Sequence, residues 1–140
     1  MIKKFLQFII IIFLFSNILE AKTDYFNDAV NLFKVKKFEK AKFKFEQDIV
    51  LNPKSELSYL YLSKIFKNLN KKNLEEQNLN TVLLLNPKNE EAIYNLAKLK
   101  LETSDYKKSK ELNKKLISLC VNFCQKSKKL NIEIDNLSKK

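Results

Sequence analysis

The two cysteines of the chain, Cys120 and Cys124 in "CVNFC", are the first candidates for chemistry. On a regular helix, residues four apart hold their Cβ atoms about 5–6 Å from each other, against roughly 3.5–4.5 Å in a disulfide. A bond between them therefore requires the helix to break near Val121-Asn122. The spacing is not that of a Cys-x-x-Cys redox pair, and two thiols without a histidine make a poor zinc site. Structural cysteines, or a local staple formed in an oxidising compartment, fit these residues better than a thiol enzyme. Spacing alone leaves the pairing open.

Composition removes most other chemistry. The 140 residues include no His and no Gly, and all 27 basic residues are Lys. Without His the chain lacks the usual base at neutral pH and the commonest zinc ligand. Without Arg it lacks the planar fork for bidentate phosphate or guanine contacts. A glycine-rich phosphate loop cannot be built either. No catalytic residue, metal site or cofactor is expected, and the chain is read as a non-enzyme.

Lys3 and Lys4 precede the apolar run "FLQFIIIIFLF" from Phe5 to Phe15, followed by "SNILEA". This order is that of an export signal cut after Ala21, with Leu19 a loose fit to the small residue three positions before the cut. Extended to Leu19, the run has 15 residues and contains Gln7, Ser16 and Asn17, short of the roughly 20 apolar residues of a spanning helix. Residues 1–21 are read as a cleaved signal peptide, with an uncleaved N-terminal anchor as the alternative. The protein is expected to be exported: periplasmic, or anchored in the inner membrane if the signal stays. Cleavage would leave 25 Lys against 15 acids, a formal charge of +10. A positive surface favours acidic partners or anionic headgroups, and export argues against nucleic acid.

Structure must position whatever the surface does, and here the sequence is explicit. "LNPK" at Leu51–Lys54 returns at Leu85–Lys88, 34 residues later, and holds both prolines of the chain. A 34-residue period belongs to helix–turn–helix solenoids. With residues 22–55, 56–89 and 90–123 overlaid, the eighth position reads Ala29, Ser63, Ala97 and the thirtieth Leu51, Leu85, Leu119. Proline cannot continue a helix and biases its predecessor to extended backbone. Asn52-Pro53 and Asn86-Pro87 therefore separate one helix pair from the next, with Leu51 and Leu85 expected to finish the buried stripe. Helices are expected at about 24–35, 38–51, 55–68, 72–85, 89–102 and 105–120, with Thr23-Asp24 and Ser104-Asp105 as N-caps. Beyond Cys120 the pattern weakens; Leu130, Ile132, Ile134 and Leu137 could form a short helix that caps the array over 124–140.

These columns resemble the tetratricopeptide repeat (TPR). The first block fits with Tyr25, Ala29, Leu32, Phe38, Ala41, Phe45 and Pro53. The second supplies Tyr59, Leu62, Ser63, Phe66, Leu79 and Pro87, but places Glu75 at a small position. The third keeps Ile93, Leu96, Ala97, Tyr106 and Ser109, and departs at Lys100, Asn113 and Val121. The resemblance implies an all-α superhelix, a TPR solenoid of about three helix-turn-helix repeats plus a C-terminal capping helix.

It further implies a concave face, built from the first helix of each repeat. The columns assigned there include Phe26, Val30, Phe33, Lys34, Leu60, Lys64, Lys67, Tyr94, Lys98 and Leu101. Such a surface would hold an extended or helical segment with acidic and apolar residues. The carboxylate clamp of chaperone-binding members is absent, since its columns hold Phe26, Val30, Tyr61 and Glu91. The leading expectation is a protein–protein interaction module, an adaptor or assembly factor of a bacterial cell envelope. Its partner would be another envelope protein or peptide segment. Bacterial origin is inferred from the short signal and the Lys-, Asn- and Ile-heavy composition. The alternative is a membrane-anchored structural protein using its lysines on anionic lipid. Self-association is left open.

Overall fold

The computed structural model describes residues 24–138, which form seven helices and no strand. The helices are α1 (Tyr25–Lys34), α2 (Phe38–Leu51), α3 (Glu56–Asn68), α4 (Lys72–Leu85), α5 (Glu90–Glu102), α6 (Tyr106–Leu119) and α7 (Cys124–Leu137). Residues 1–21, read above as a signal or anchor, lie outside the described residues. No helix among the described residues is long and apolar enough to cross a membrane.

Consecutive helices pack as antiparallel pairs, and the first helices of neighbouring repeats also touch, α1 on α3 and α5 on α7. The small column explains the close approach: Ala29, Ser63 and Ala97 are all buried, so no bulky side chain holds the paired helices apart. Phe45, Leu79 and Leu116 fill the space around that column and are fully buried, each contributing roughly 1.5–3 kcal/mol by leaving water. Asn113, in the column of Phe45 and Leu79, is equally buried and donates from Nδ2 to the Ser127 carbonyl at 3.1 Å. Its polarity ties α6 to α7.

The turn inside each repeat repeats a backbone solution. Lys36, Asn70 and Ser104, 34 residues apart, have φ of 58°, 55° and 62°. In each turn the next amide reaches back five residues to the helix, Lys37 to Leu32, Lys71 to Phe66 and Asp105 to Lys100, at 2.8–2.9 Å. This left-handed helix stop is normally given to glycine, which the chain lacks. The Asp of each expected capping pair then caps: Asp24 Oδ1 accepts from Asn27 N, and Asp105 Oδ1 from Lys108 N, both at 3.0 Å. Ser104 is the left-handed residue instead.

Both "LNPK" junctions close with the same turn, Ser55 N to Asn52 O at 2.9 Å and Asn89 N to Asn86 O at 3.1 Å. Pro sits at the second turn position, where its fixed φ is already suitable. Leu51 corrects the expectation of a buried stripe end, being 70% exposed. It lies two residues beyond half-buried Ile49, about 200° around the helix from the inner face.

Where the third proline is missing, at Val121, a different device holds the chain. The Glu90 carboxylate accepts the amides of Val121, Asn122 and Phe123 at 2.7, 2.9 and 2.8 Å. Desolvation would raise that carboxyl, but the three amides outweigh it and hold it below the ordinary carboxylate range. Glu56, 34 residues earlier, serves the previous junction by accepting from Asn86 Nδ2 at 3.0 Å and from Asn89 Nδ2. The helix breaks between Leu119 and Cys124, and Cys120 and Cys124 form a disulfide across the break with Cα atoms 5.2 Å apart.

The capping helix, α7, lies within residues 124–140. It begins at Cys124, the first position of a fourth 34-residue block, and buries Ser127, Leu130 and Ile134. These continue the columns of Ile93, Leu96 and Lys100. Ile132, expected among its apolar residues, is 62% exposed, because it projects from the opposite side of the helix.

Candidate interaction face

The first helices α1, α3, α5 and α7 present one surface. At its start, Phe26, Phe33 and Tyr61 pack edge to face across α1 and α3, with centroids 6.0 Å apart for Phe26–Tyr61 and 5.1 Å for Phe33–Tyr61. Beneath them Phe45 stacks on Tyr61 at 5.0 Å. Offset and edge-on ring contacts of this kind add about 0.5–1.5 kcal/mol beyond burial. Phe26, Val30 and Phe33 remain half-buried; each both packs between helices and offers surface. At the other end Tyr94 meets Phe123 at 5.6 Å, and Lys126 Nζ lies 4.3 Å from the Phe123 ring.

The expected lysines are present on this face but are not free. Lys64 Nζ is 2.8 Å from Glu91, Lys67 4.0 Å from Glu102, and Lys98 3.2 Å from Glu133. The pairs run from α3 to α5 and from α5 to α7, a ladder of opposite charges along the surface. Partly exposed pairs contribute about 0–1 kcal/mol each, so their main effect is on surface charge: three of the four expected cations are already balanced. Lys34, exposed at the end of α1, has no carboxylate within reach among the described residues. Lys64 also lies 4.9 Å above the Tyr61 ring.

Leu60 and Leu101 do not join the face. They are 4% and 5% exposed and belong to the core shared by the second, third and fourth blocks. The sequence reading did not assign Tyr61, Phe123, Lys126 and Glu133 to this face, and although Glu91 and Glu102 stand in its columns, it missed the pairing of the carboxylates with the lysines. A signal for the last was present, since Lys67–Glu102 and Lys98–Glu133 are each separated by one repeat plus one residue.

Glu75 stands at the small position of the second repeat and is buried. Burial pushes its carboxyl above the ordinary carboxylate range; Lys67 pulls it back, Glu102 adds to the rise, and Lys72 again lowers it.

No protein-family model matches the chain, and no curated protein matches it in sequence. Solved structures do. The first TPR of Spaghetti (RPAP3), bound to the HSP90 peptide SRMEEVD, has TM-score 0.75 and 15% identity, over 83% of this chain and 91% of that one. The type III secretion chaperone SycD of Yersinia enterocolitica, in complex with a peptide of the translocator YopD, has TM-score 0.75 and 17% identity, over 89% and 100%. The TPR domain of Arabidopsis OM64 has TM-score 0.70 and 20% identity, over 81% and 97%. The fold is therefore the all-α superhelix of TPR domains, as the 34-residue columns implied.

Proposed function

We propose that the protein is a non-enzymatic interaction module that holds a peptide or protein segment against the face of α1, α3, α5 and α7. The observation that carries this reading is the row of half-buried Phe26, Val30, Phe33, Tyr61 and Tyr94, open along the first helices of the three repeats, α1, α3 and α5. Aromatic rings set in a rigid surface are the usual anchors of binding energy. Two neighbours of the same fold were captured with peptides, one from HSP90 and one from YopD. The HSP90 mode is not carried over, because this chain has Phe26, Val30, Tyr61 and Glu91 in the clamp columns.

The paired lysines refine the partner. Apolar and aromatic contacts come first, with Lys34 and Lys126 the cations open to an acidic residue. The apolar run 5–15 and the disulfide support export and a role as adaptor or assembly factor in a bacterial envelope. A mature N-terminus at Lys22 is expected from sequencing of the protein from its cells; a start at Met1 would favour the anchored form.

Charge reversal of Lys64 alone would repel Glu91, so the informative variant swaps the pair, Lys64→Glu with Glu91→Lys. Combined with Phe33→Ser, it should keep helicity and lose cross-linking of the native partner in cells. Undiminished capture of the same partner by the folded variant would sink the reading.

A further inference from the structure

Net charge is not spread over this molecule. Residues 24–138 contain 22 Lys and 15 acids. Residues 107–129 alone hold eight of the lysines and one acid, Glu111, a charge of +7. Everything else described contains 14 of each and is neutral. A lysine coat serving only solubility would follow the acids around the surface, as the lysines of the first-helix face do. Here the excess occupies α6 and the first half of α7, on either side of the uncharged third junction.

Lys126 and Lys129 lie toward the first-helix face, and Lys108 and Lys110 are paired with Glu111 and Asp135; the other four share one side. On α6 the buried residues are Ser109, Leu112, Asn113 and Leu116, and the opposite arc carries exposed Lys107, Lys114 and Lys115, with Glu111 among them and paired to Lys108. Asn113 bonds to the Ser127 carbonyl and Lys110 to Asp135, so α6 and α7 lie side by side. The residues that follow Asn113 and Ser127 are Lys114 and exposed Lys128, which fall on the same outer flank; Lys129, three residues after Lys126 and four before Glu133, shares their stripe instead. Among the described residues, none of the four flank lysines, Lys107, Lys114, Lys115 and Lys128, has a carboxylate within ion-pair distance. Ile117 follows Lys114 by three residues on α6, and Val121 stands in the junction just past the helix end; they are 46% and 80% exposed.

We propose that the outer flank of α6 and α7 is a second docking surface, whose occupant is an anionic lipid bilayer. Lysines flanking exposed aliphatic side chains suit a headgroup layer: the ammonium groups stay among lipid phosphates while Ile117 and Val121 enter the acyl boundary. A nucleic-acid backbone would supply the phosphates but nothing for the aliphatic residues, and this chain has no arginine to fork onto it. The lysines lie on a second helix and on the outer side of the terminal one. A bilayer there leaves the aromatic row of α1 and α3 facing away from it.

The test is flotation of the full chain with vesicles of phosphatidylethanolamine, with and without phosphatidylglycerol. Any binding through residues 5–15 is common to both vesicles and cancels. Phosphatidylglycerol should raise affinity, less so at high salt. The quadruple variant Lys107→Gln, Lys114→Gln, Lys115→Gln, Lys128→Gln should lose that gain, on the order of a thousandfold. A control losing Lys36, Lys37, Lys40 and Lys54 to Gln should keep it, and circular dichroism should show both variants folded. The proposal fails if phosphatidylglycerol has no effect, if both variants lose the gain equally, or if the wild type ignores vesicles and binds RNA or an acidic protein through these lysines.

Discussion

The Val121 amide donates to the Glu90 carboxylate at 2.7 Å. Val121 stands 34 residues after Pro87 and 68 after Pro53, where proline would otherwise fix the turn between repeats. A carboxylate reaching from the first turn of one repeat to the backbone amides before the next does the same positional work without restricting φ. The charge is part of the device, because an anion accepts three amides better than a neutral group.

Glu90→Gln should therefore lower the denaturant midpoint at neutral pH. The folded carboxyl is held below its ordinary range, so its stabilisation is present above the unfolded value, about 4.3, and is lost as pH falls through the lower folded value. The wild-type and Gln midpoints should converge in that acid window. Parallel curves from pH 7 into that window would show that the contact carries no charge-dependent stability.

Glu75 has the opposite sign. Its folded carboxyl is raised, so the fold favours the protonated form, and stability is lost as pH rises from the unfolded value through the folded one. Glu75→Gln keeps the shape and should stabilise at pH 7, with the advantage vanishing in acid. A thermal melt at both pH values checks it; a destabilised variant at pH 7 would mean that Lys67 and Lys72 more than repay the burial.

The left-handed turns give a backbone prediction. Lys36→Gly and Ser104→Gly should each stabilise by about 0.5–1 kcal/mol, since a non-glycine residue there costs roughly 1–2 kcal/mol and glycine gives part of that back as chain entropy. Lys37→Gly, one residue on at φ −82°, should destabilise. Equal effects at residues 36 and 37 would remove the conformational explanation.

Much of this architecture was legible because the repeat is written in side-chain size. Ala29, Ser63, Ala97 and the two Asn-Pro steps gave the helix pairs to within a residue, since steric rules act locally. The fourth block was hidden because its columns hold Ser127, Leu130 and Ile134, and one small polar residue blurs an apolar stripe. Leu60 and Leu101 were assigned to the face by column number, yet burial depends on how far each helix is rotated in its pair. The ion pairs joining Lys64, Lys67 and Lys98 to carboxylates 27 or 35 residues away needed the superhelix itself, because only stacking brings those distant positions together.

Reduction of Cys120–Cys124 tests how much of the fourth block depends on its staple. The loop it closes is short, so the entropic gain is modest, about 2 kcal/mol for a ring of some five residues. Leu130 and Ile134 remain buried against α5 and α6 whether or not the sulfurs are joined, and Glu90 still holds the junction amides. Reductant should therefore leave the melt of α1–α5 nearly unchanged while hydrogen exchange speeds up in α7. The double variant Cys120→Ser, Cys124→Ser should behave as the reduced protein does. Global unfolding on reduction would mean that the cap is held by the disulfide and not by its buried stripe, and that the whole array depends on that cap.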